Sequence, residues 1–370
     1  MELFKPEVEF FRVNNIKGNF FRYNGWPTLC KDDRGVMYVT ASSYRMSHVD
    51  PCGKNCMYVS LNEGKTWSPP IVVNDSYIDD RDMGITYCGN GKMVITWFNE
   101  LHESYWDHLD ACTWFDRVDV QVVNGISKAL RKLPEGTCEK LVGAYVKVSE
   151  DYGVTWSDPI RVPLTNPHGV SVCADGSLIF MGKKMDPEYG TNDTIVVYSS
   201  HDGGYTWEFT GEVPLGEGLD GYVDMHEPHA IELPNGRLLG AIRVHNAEFF
   251  TTFITFSDDK GKTWSVPKRI AELDGAPPHL MVHSSGAIIC SYSCRTYGRM
   301  GEKAVVSYDN GETWTEDYEL DMRVSPNQHD LGYPSTVELE DGSLYTVYYQ
   351  AYGDEDMTSL LACKWRLNGK

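Results

Sequence analysis

The chain alternates short apolar runs with tight polar turns, and the runs are too short to read as helices. Ala230 to Leu233 and Leu238 to Arg243 flank Pro234-Asn235-Gly236, and Ser335 to Leu339 and Leu344 to Tyr349 flank Glu340-Asp341-Gly342. Apolar and β-branched runs on either side of a turn ending in glycine predict antiparallel hairpins. The turn recurs six times, the other copies being Asp33-Arg34-Gly35, Gly89-Asn90-Gly91, Ala174-Asp175-Gly176 and Ser284-Ser285-Gly286. A third strand follows, as Ala304-Val305-Val306 illustrates, and leads into a second signature, Ser-x-Asp-x-Gly-x-Thr-Trp.

That box occurs at Ser60 to Trp67 (with Asn62 in the Asp place), Ser149 to Trp156, Ser200 to Trp207, Ser257 to Trp264 and Ser307 to Trp314. It reads as a structural turn: the Asp accepts backbone N–H bonds, the Gly takes a positive φ, and the Trp folds back as a cover. A fourth strand leaves each box. Six units of four antiparallel strands predict an all-β fold, a six-bladed β-propeller, which avoids long exposed sheet edges by radial repetition. The last unit lacks a box, and the N-terminal segment Val8 to Val13 is expected to supply its outer strand. The whole chain, 1–370, is expected to be one domain, with an insertion in blade two at about 99–140. The insertion begins with Glu103, Tyr105, Trp106, Asp107 and His108 and ends in a helical pattern around Ile126 to Leu133. A connection this long predicts a lid, a rim wall or an oligomer contact.

Composition narrows the partners. A net charge of −20 argues against nucleic acid and anionic membranes, while 12% aromatic residues suit sheet packing and carbohydrate binding. No apolar run is long enough to span a bilayer. The N-terminus shows no signal-peptide pattern, and the ten cysteines show no disulfide-scaffold spacing, which points to a reducing cytoplasm. His48, Cys52 and Cys56 lack a second pair to complete a metal site and read as a surface loop, so no metal and no cofactor is expected.

Candidate chemistry emerges when the six glycine turns serve as a ruler. Nine residues before each Gly stand Trp26, Asp82, Pro167, Glu227, Pro277 and Tyr333, with Arg81, His168 and His226 one step away and His279 two steps further on. These positions fall where inner strands begin, facing one end of the central channel. Second strands end nearby in Lys183, Arg243, Tyr349 and Arg295, and Arg299 precedes the third strand of blade five. Several arginines beside a Glu and a Tyr predict a pocket for an anion, because the guanidinium fork matches a carboxylate.

The boxes together with these ring residues resemble the sialidase (neuraminidase) superfamily of glycoside hydrolases, over essentially the whole chain. The family's Glu opening the fourth blade, followed sixteen residues later by an Arg, is matched by Glu227 and Arg243. Gly332-Tyr333-Pro334-Ser335 is similar to the context of its nucleophilic Tyr, and Arg299 before Ser307 matches a further Arg. The resemblance implies a retaining mechanism in which Tyr333, activated by Glu227, attacks a terminal, anionic sugar whose carboxylate is held by arginines. A separate Asp would protonate the leaving oxygen. Two departures stand out. Gly25-Trp26-Pro27 replaces the family's Arg-Ile-Pro, so Arg22, Arg45 or Arg81 must substitute for the first clamp arginine. Ser43-Tyr44-Arg45 replaces the motif of the acid/base, leaving Asp50 or Asp82 for that role.

Two other readings remain open. A His-rich ring (His168, His226, His229, His279) with Tyr333 suits a lyase that removes the proton α to a uronate carboxylate. The absent motif residues suit a non-catalytic carbohydrate-binding propeller.

Overall fold

The computed structural model describes residues 1–14, 21–101, 120–186, 190–215, 224–246, 249–270, 273–325, 330–351, 353 and 357–368. Glycines 35, 91, 176, 236, 286 and 342 all take φ between 73° and 85°, so each predicted hairpin turns where its sequence allows a left-handed residue. Six sheets result. Blade 1 runs Tyr23–Lys31, Met37–Arg45, Lys54–Ser60 and Ile71–Asn74, and blade 2 runs Asp79–Gly89, Lys92–Glu100, Gly143–Ser149 and Ile160–Val162. Blade 3 has its inner edge in two pieces, Leu164–Thr165 and Ser171–Val172, both paired with Leu178–Asp186; Gly190–Ser200 and Glu208–Glu212 follow. Blade 4 comprises Asp224–Glu232, Leu238–His245, Phe250–Ser257 and Lys268–Arg269, and blade 5 comprises His279–Val282, Ile288–Cys294, Gly301–Ser307 and Glu316–Asp321. Blade 6 takes Leu331–Glu338, Leu344–Gln350 and Ser359–Trp365 from the C-terminal end and Glu9–Arg12 from the N-terminal end, so the ring closes as expected. A strand the sequence did not suggest, Glu2–Phe4, pairs in parallel with Glu316–Asp321 and covers the outer edge of blade 5.

The boxes form the turns their composition predicts. In the second copy Ser149 Oγ donates to Asp151 Oδ1 at 2.8 Å and accepts the Gly153 N–H, while Thr155 donates its N–H and hydroxyl to the two Asp151 oxygens. The tryptophans then stitch neighbouring blades. Trp67, Trp156, Trp207, Trp264 and Trp314 each pack into the apolar seam between their own blade and the preceding one. The seam between blades 5 and 6 has no box tryptophan and is filled by Trp365, its ring tilted against Tyr318 at 5.2 Å, together with Phe4 and Val8.

Of the blade-two insertion, an amphipathic helix is described at Val120–Leu130, starting earlier than the helical pattern around Ile126 to Leu133 suggested. Glu103, Tyr105, Trp106, Asp107 and His108 lie outside the described residues. All nine cysteines among the described residues are free thiols. No described helix is long and apolar enough to cross a membrane.

Candidate active site

Four inner strands share a local distortion at the position the glycine ruler picked out. Trp26, Asp82, Glu227 and Tyr333 have φ of 53°, 52°, 47° and 55°, and at each the pairing with the next strand skips register. A left-handed, bulky residue costs about 1–3 kcal/mol, and a β-bulge re-aims its side chain. Four such residues in equivalent places form a ring of strained positions around one end of the channel. In blades 3 and 5 the equivalent residues are Pro167 and Pro277, and neither carries this bulge.

The bulges in blades 4 and 6 aim two side chains at each other. Tyr333 Oη donates to Glu227 Oε1 at 2.5 Å, and Arg243 Nη1 donates to Glu227 Oε2 at 2.7 Å. Although burial opposes ionisation of Glu227, Arg243 and these hydrogen bonds hold its pKa down to about 2. Burial and the Glu227 charge push the Tyr333 phenol well above its ordinary value, so it rests protonated beside a carboxylate. Arg295 anchors through Nε and Nη2 to the Leu331 carbonyl at 3.1 and 2.8 Å. A side chain at Gly332 would meet Arg295 Nη2 at 3.3 Å, which fixes Arg295 against the backbone carrying Tyr333. Arg243 and Arg295 flank the Phe250 ring at 4.8 and 5.2 Å.

Asp82 and Glu227 line one cavity of about 410 Å³, together with Asn99, Glu100, Lys183 and His226. Burial raises the Asp82 carboxyl to about 7, and the Glu227 charge adds to that while Arg81 and Arg45 oppose it. Its Oδ1 has no hydrogen-bond partner among the described residues. Two carboxyls in one cavity are thus driven to opposite ends of their range, the pattern that separates an acid from an anion.

Other predicted residues lie elsewhere. Asp50 is fully buried and accepts the Met46 and Cys52 N–H groups at 2.7 and 2.9 Å, so it closes a loop. Arg45, also fully buried, forms a two-pronged pair with Asp79 at 2.5 and 2.8 Å, so it cannot replace a clamp arginine. Trp26 is 1% exposed and flanked by the guanidinium groups of Arg45 and Arg81 at 4.9 and 4.6 Å. Arg81 itself lies 3.3 Å from Glu100. Arg299 points outward, 67% exposed and paired with Asp274; Arg295, four residues earlier, stands by Tyr333 instead.

The histidines divide similarly. His168, His229 and His279 are buried together in the channel, with rings 4.6 to 5.6 Å apart. His229 and His279 accept the Leu280 and Thr336 N–H groups at Nδ1, and burial lowers both pKa values well below the ordinary range, so they are packed, neutral rings. His168 lies under Tyr333 with ring centres 6.4 Å apart and is held to about 4 by burial. The lyase reading loses most of its candidate bases to this packing. His226 alone of the four lines the 410 Å³ cavity.

A network missed from sequence adjoins Tyr333. Asp330, three residues before it, accepts Tyr23 Oη at 2.6 Å and Tyr349 Oη at 2.8 Å, and His48 Nδ1 lies 3.1 Å away. These contacts hold Asp330 at about 2 against the effect of its burial. His48 is therefore engaged with Asp330, Tyr23 and the edge of Trp26 rather than with Cys52 and Cys56. The available signal was the spacing of Asp330 from Tyr333; two of its partners, Tyr23 and His48, come from blade 1 at the other end of the chain.

Fold and ring together define a six-bladed propeller with a tyrosine–glutamate pair at one mouth of its channel. The chain belongs to the BNR repeat-like domain family, whose profile matches residues 134–346. Solved structures are similar over nearly the whole length. A protein of unknown function from Dyadobacter fermentans superposes with a TM-score of 0.77 at 18% identity, covering 98% of this chain and 99% of that one. The intramolecular trans-sialidase of Ruminococcus gnavus, in complex with oseltamivir carboxylate, gives 0.67 at 18% identity, covering 97% of each chain. An alpha-L-arabinofuranosidase of Fusarium graminearum, in complex with an iminosugar inhibitor, gives 0.60 at 13% identity, covering 98% of each. At these identities the shared property is the fold. No curated protein sequence matches the chain.

Proposed function

We propose that the protein is a retaining exo-glycoside hydrolase that removes a terminal, anionic sugar from a glycan. The observation that carries this is the 2.5 Å hydrogen bond from Tyr333 Oη to the ionised Glu227, held on its other side by Arg243. In the first step Tyr333 Oη bonds to the anomeric carbon and gives its proton to Glu227, while the bond to the leaving oxygen breaks and that oxygen takes the Asp82 proton. In the second step water, deprotonated by Asp82, attacks the same carbon; the tyrosyl bond breaks and Glu227 returns the proton to the phenolate. In this reading Arg243 and Arg295 meet the sugar's acidic group.

Tyr333→Phe keeps the ring that packs against Trp26 and removes the nucleophile. Its turnover of activated aryl glycosides should fall roughly 10³-fold or more, with an unchanged melting temperature and no ultraviolet-absorbing unsaturated product from the parent. Near-parent hydrolysis by this variant would refute the nucleophile, and an unsaturated product would favour elimination instead.

A further inference from the structure

We propose that Asp224, His226 and His245 form a binding site for one divalent transition-metal ion of the imidazole-preferring class, on the rim of blade 4 beside the catalytic cavity. The backbone puts these three side chains together before any rotamer is chosen. Asp224 and His226, two residues apart on one strand, point to the same face, and His245 is the cross-strand partner of Asp224. Candidate ligand atoms of all three lie within 4.8 Å of one another. Asp224 Oδ2 is 3.1 Å from His226 Nε2 and 3.6 Å from His245 Nε2. Ligands about 2.0–2.2 Å from a zinc-sized ion in tetrahedral array are separated by about that much.

These contacts are not hydrogen bonds: His226 Nε2 is buried and makes none among the described residues, although it faces a carboxylate oxygen 3.1 Å away. Buried imidazole nitrogens ordinarily find partners, and one that faces a carboxylate off the hydrogen-bond direction suits a shared third atom. Burial lowers the pKa of both imidazoles, and it is the neutral ring that ligates a metal. Asp224, 43% exposed, gives solution access. Two imidazoles and a carboxylate favour zinc, cobalt or nickel over calcium or magnesium, and three protein ligands leave a position open. Because His226 also lines the 410 Å³ cavity, a bound ion would form part of its wall.

Lys183 competes with the ion. Its Nζ lies 3.4 Å from Asp224 Oδ1 and 3.3 Å from His226 Nδ1. Ligation through Nε2 moves the imidazole proton to Nδ1, so the ammonium must withdraw.

The test is calorimetric titration of the chelator-treated full chain with zinc chloride, repeated with cobalt chloride by visible absorption. We expect one equivalent to bind, roughly tenfold or more weaker in Asp224→Asn and in His245→Ala, tighter in Lys183→Met, and unchanged in the surface variant His201→Ala. Melting curves of the metal-free variants should match the parent. No saturable equivalent, parent-like affinity in the double Asp224→Asn, His245→Ala variant, or binding in Lys183→Met no tighter than in the parent would overturn the site. Each readout is binding, so it stands whether or not the hydrolase reading does.

Discussion

The two sides of the channel mouth contain the same kinds of residue in opposite states. On the side built by blades 4 to 6, Tyr333 and Arg243 converge on Glu227, which lines the cavity, and the Arg243–Glu227 pair keeps 16% of each side chain exposed. On the blade 1 side, Arg45 and Asp79 are both fully buried and engaged with each other, with Trp26 laid against the pair. Both sides carry the left-handed bulge, at Trp26 as at Glu227 and Tyr333. The bulge delivers a side chain to the mouth; what the side chain meets there decides whether it can act. An arginine whose donors are taken up by a buried carboxylate and backbone carbonyls, as in Arg45, contributes to rigidity, and one with donors left over can meet a ligand.

Asp82 lies between the two sides and gives the largest effect. Its removal as general acid in Asp82→Asn should lower kcat/KM for a poor leaving group by about 10²–10⁴-fold. In the parent, kcat/KM should fall as pH rises through about 7, where Asp82 loses its proton, and that limb should vanish in the variant. The stability of the parent should fall with rising pH as well. The folded state raises this pKa, so ionisation favours unfolding increasingly between about pH 4 and pH 7. Asp82→Asn should therefore melt higher than the parent at pH 8 and level with it at pH 4. A variant that keeps the alkaline limb would remove Asp82 from the acid role.

The blade 1 side should respond in stability. Arg45→Met leaves Asp79 buried beside Arg81 without its two-pronged partner and should cost about 3–5 kcal/mol in denaturant unfolding. Arg243→Met, on the open side, should cost less stability and far more activity. If both variants lost activity alike and stability alike, the two sides would not differ as described.

Much of this architecture was legible in the chain because it is local. A Gly after two turn residues, or an Asp between Ser and Gly, satisfies its own backbone within a few residues, so the six hairpins and five boxes could be counted directly. The ring was legible for the same reason: a fixed distance from Gly236 or Gly342 leads to Glu227 or Tyr333. What could not be read depends on contacts between distant segments. Asp79 arrives from blade 2 to take Arg45, and Tyr23 from blade 1 meets Asp330 from blade 6. Arg295 and Arg299 show how finely the spacing specifies a place. Box spacing led to Arg299, but blade 5's second strand ends at Cys294, so the residue just after it stays beside Tyr333 while the next four turn away from the channel.

That pair provides the finest test of the comparison. Arg299 is two-thirds exposed and held by one surface ion pair, an arrangement worth less than about 1 kcal/mol. Arg299→Ala should leave both melting temperature and kcat/KM near parent values. Arg295 is anchored by two bonds to a carbonyl with its remaining donors beside Tyr333, and a hydrogen bond between a charged donor and a ligand contributes about 1.5–3 kcal/mol. Arg295→Ala should therefore raise KM for an acidic glycoside roughly 10–100-fold with a smaller change for a neutral one. Equal loss on both substrates would mean that Arg295 supports the loop under Tyr333 and does not read the charge of the sugar, and loss in Arg299→Ala instead would return the anion to the position that box spacing predicts.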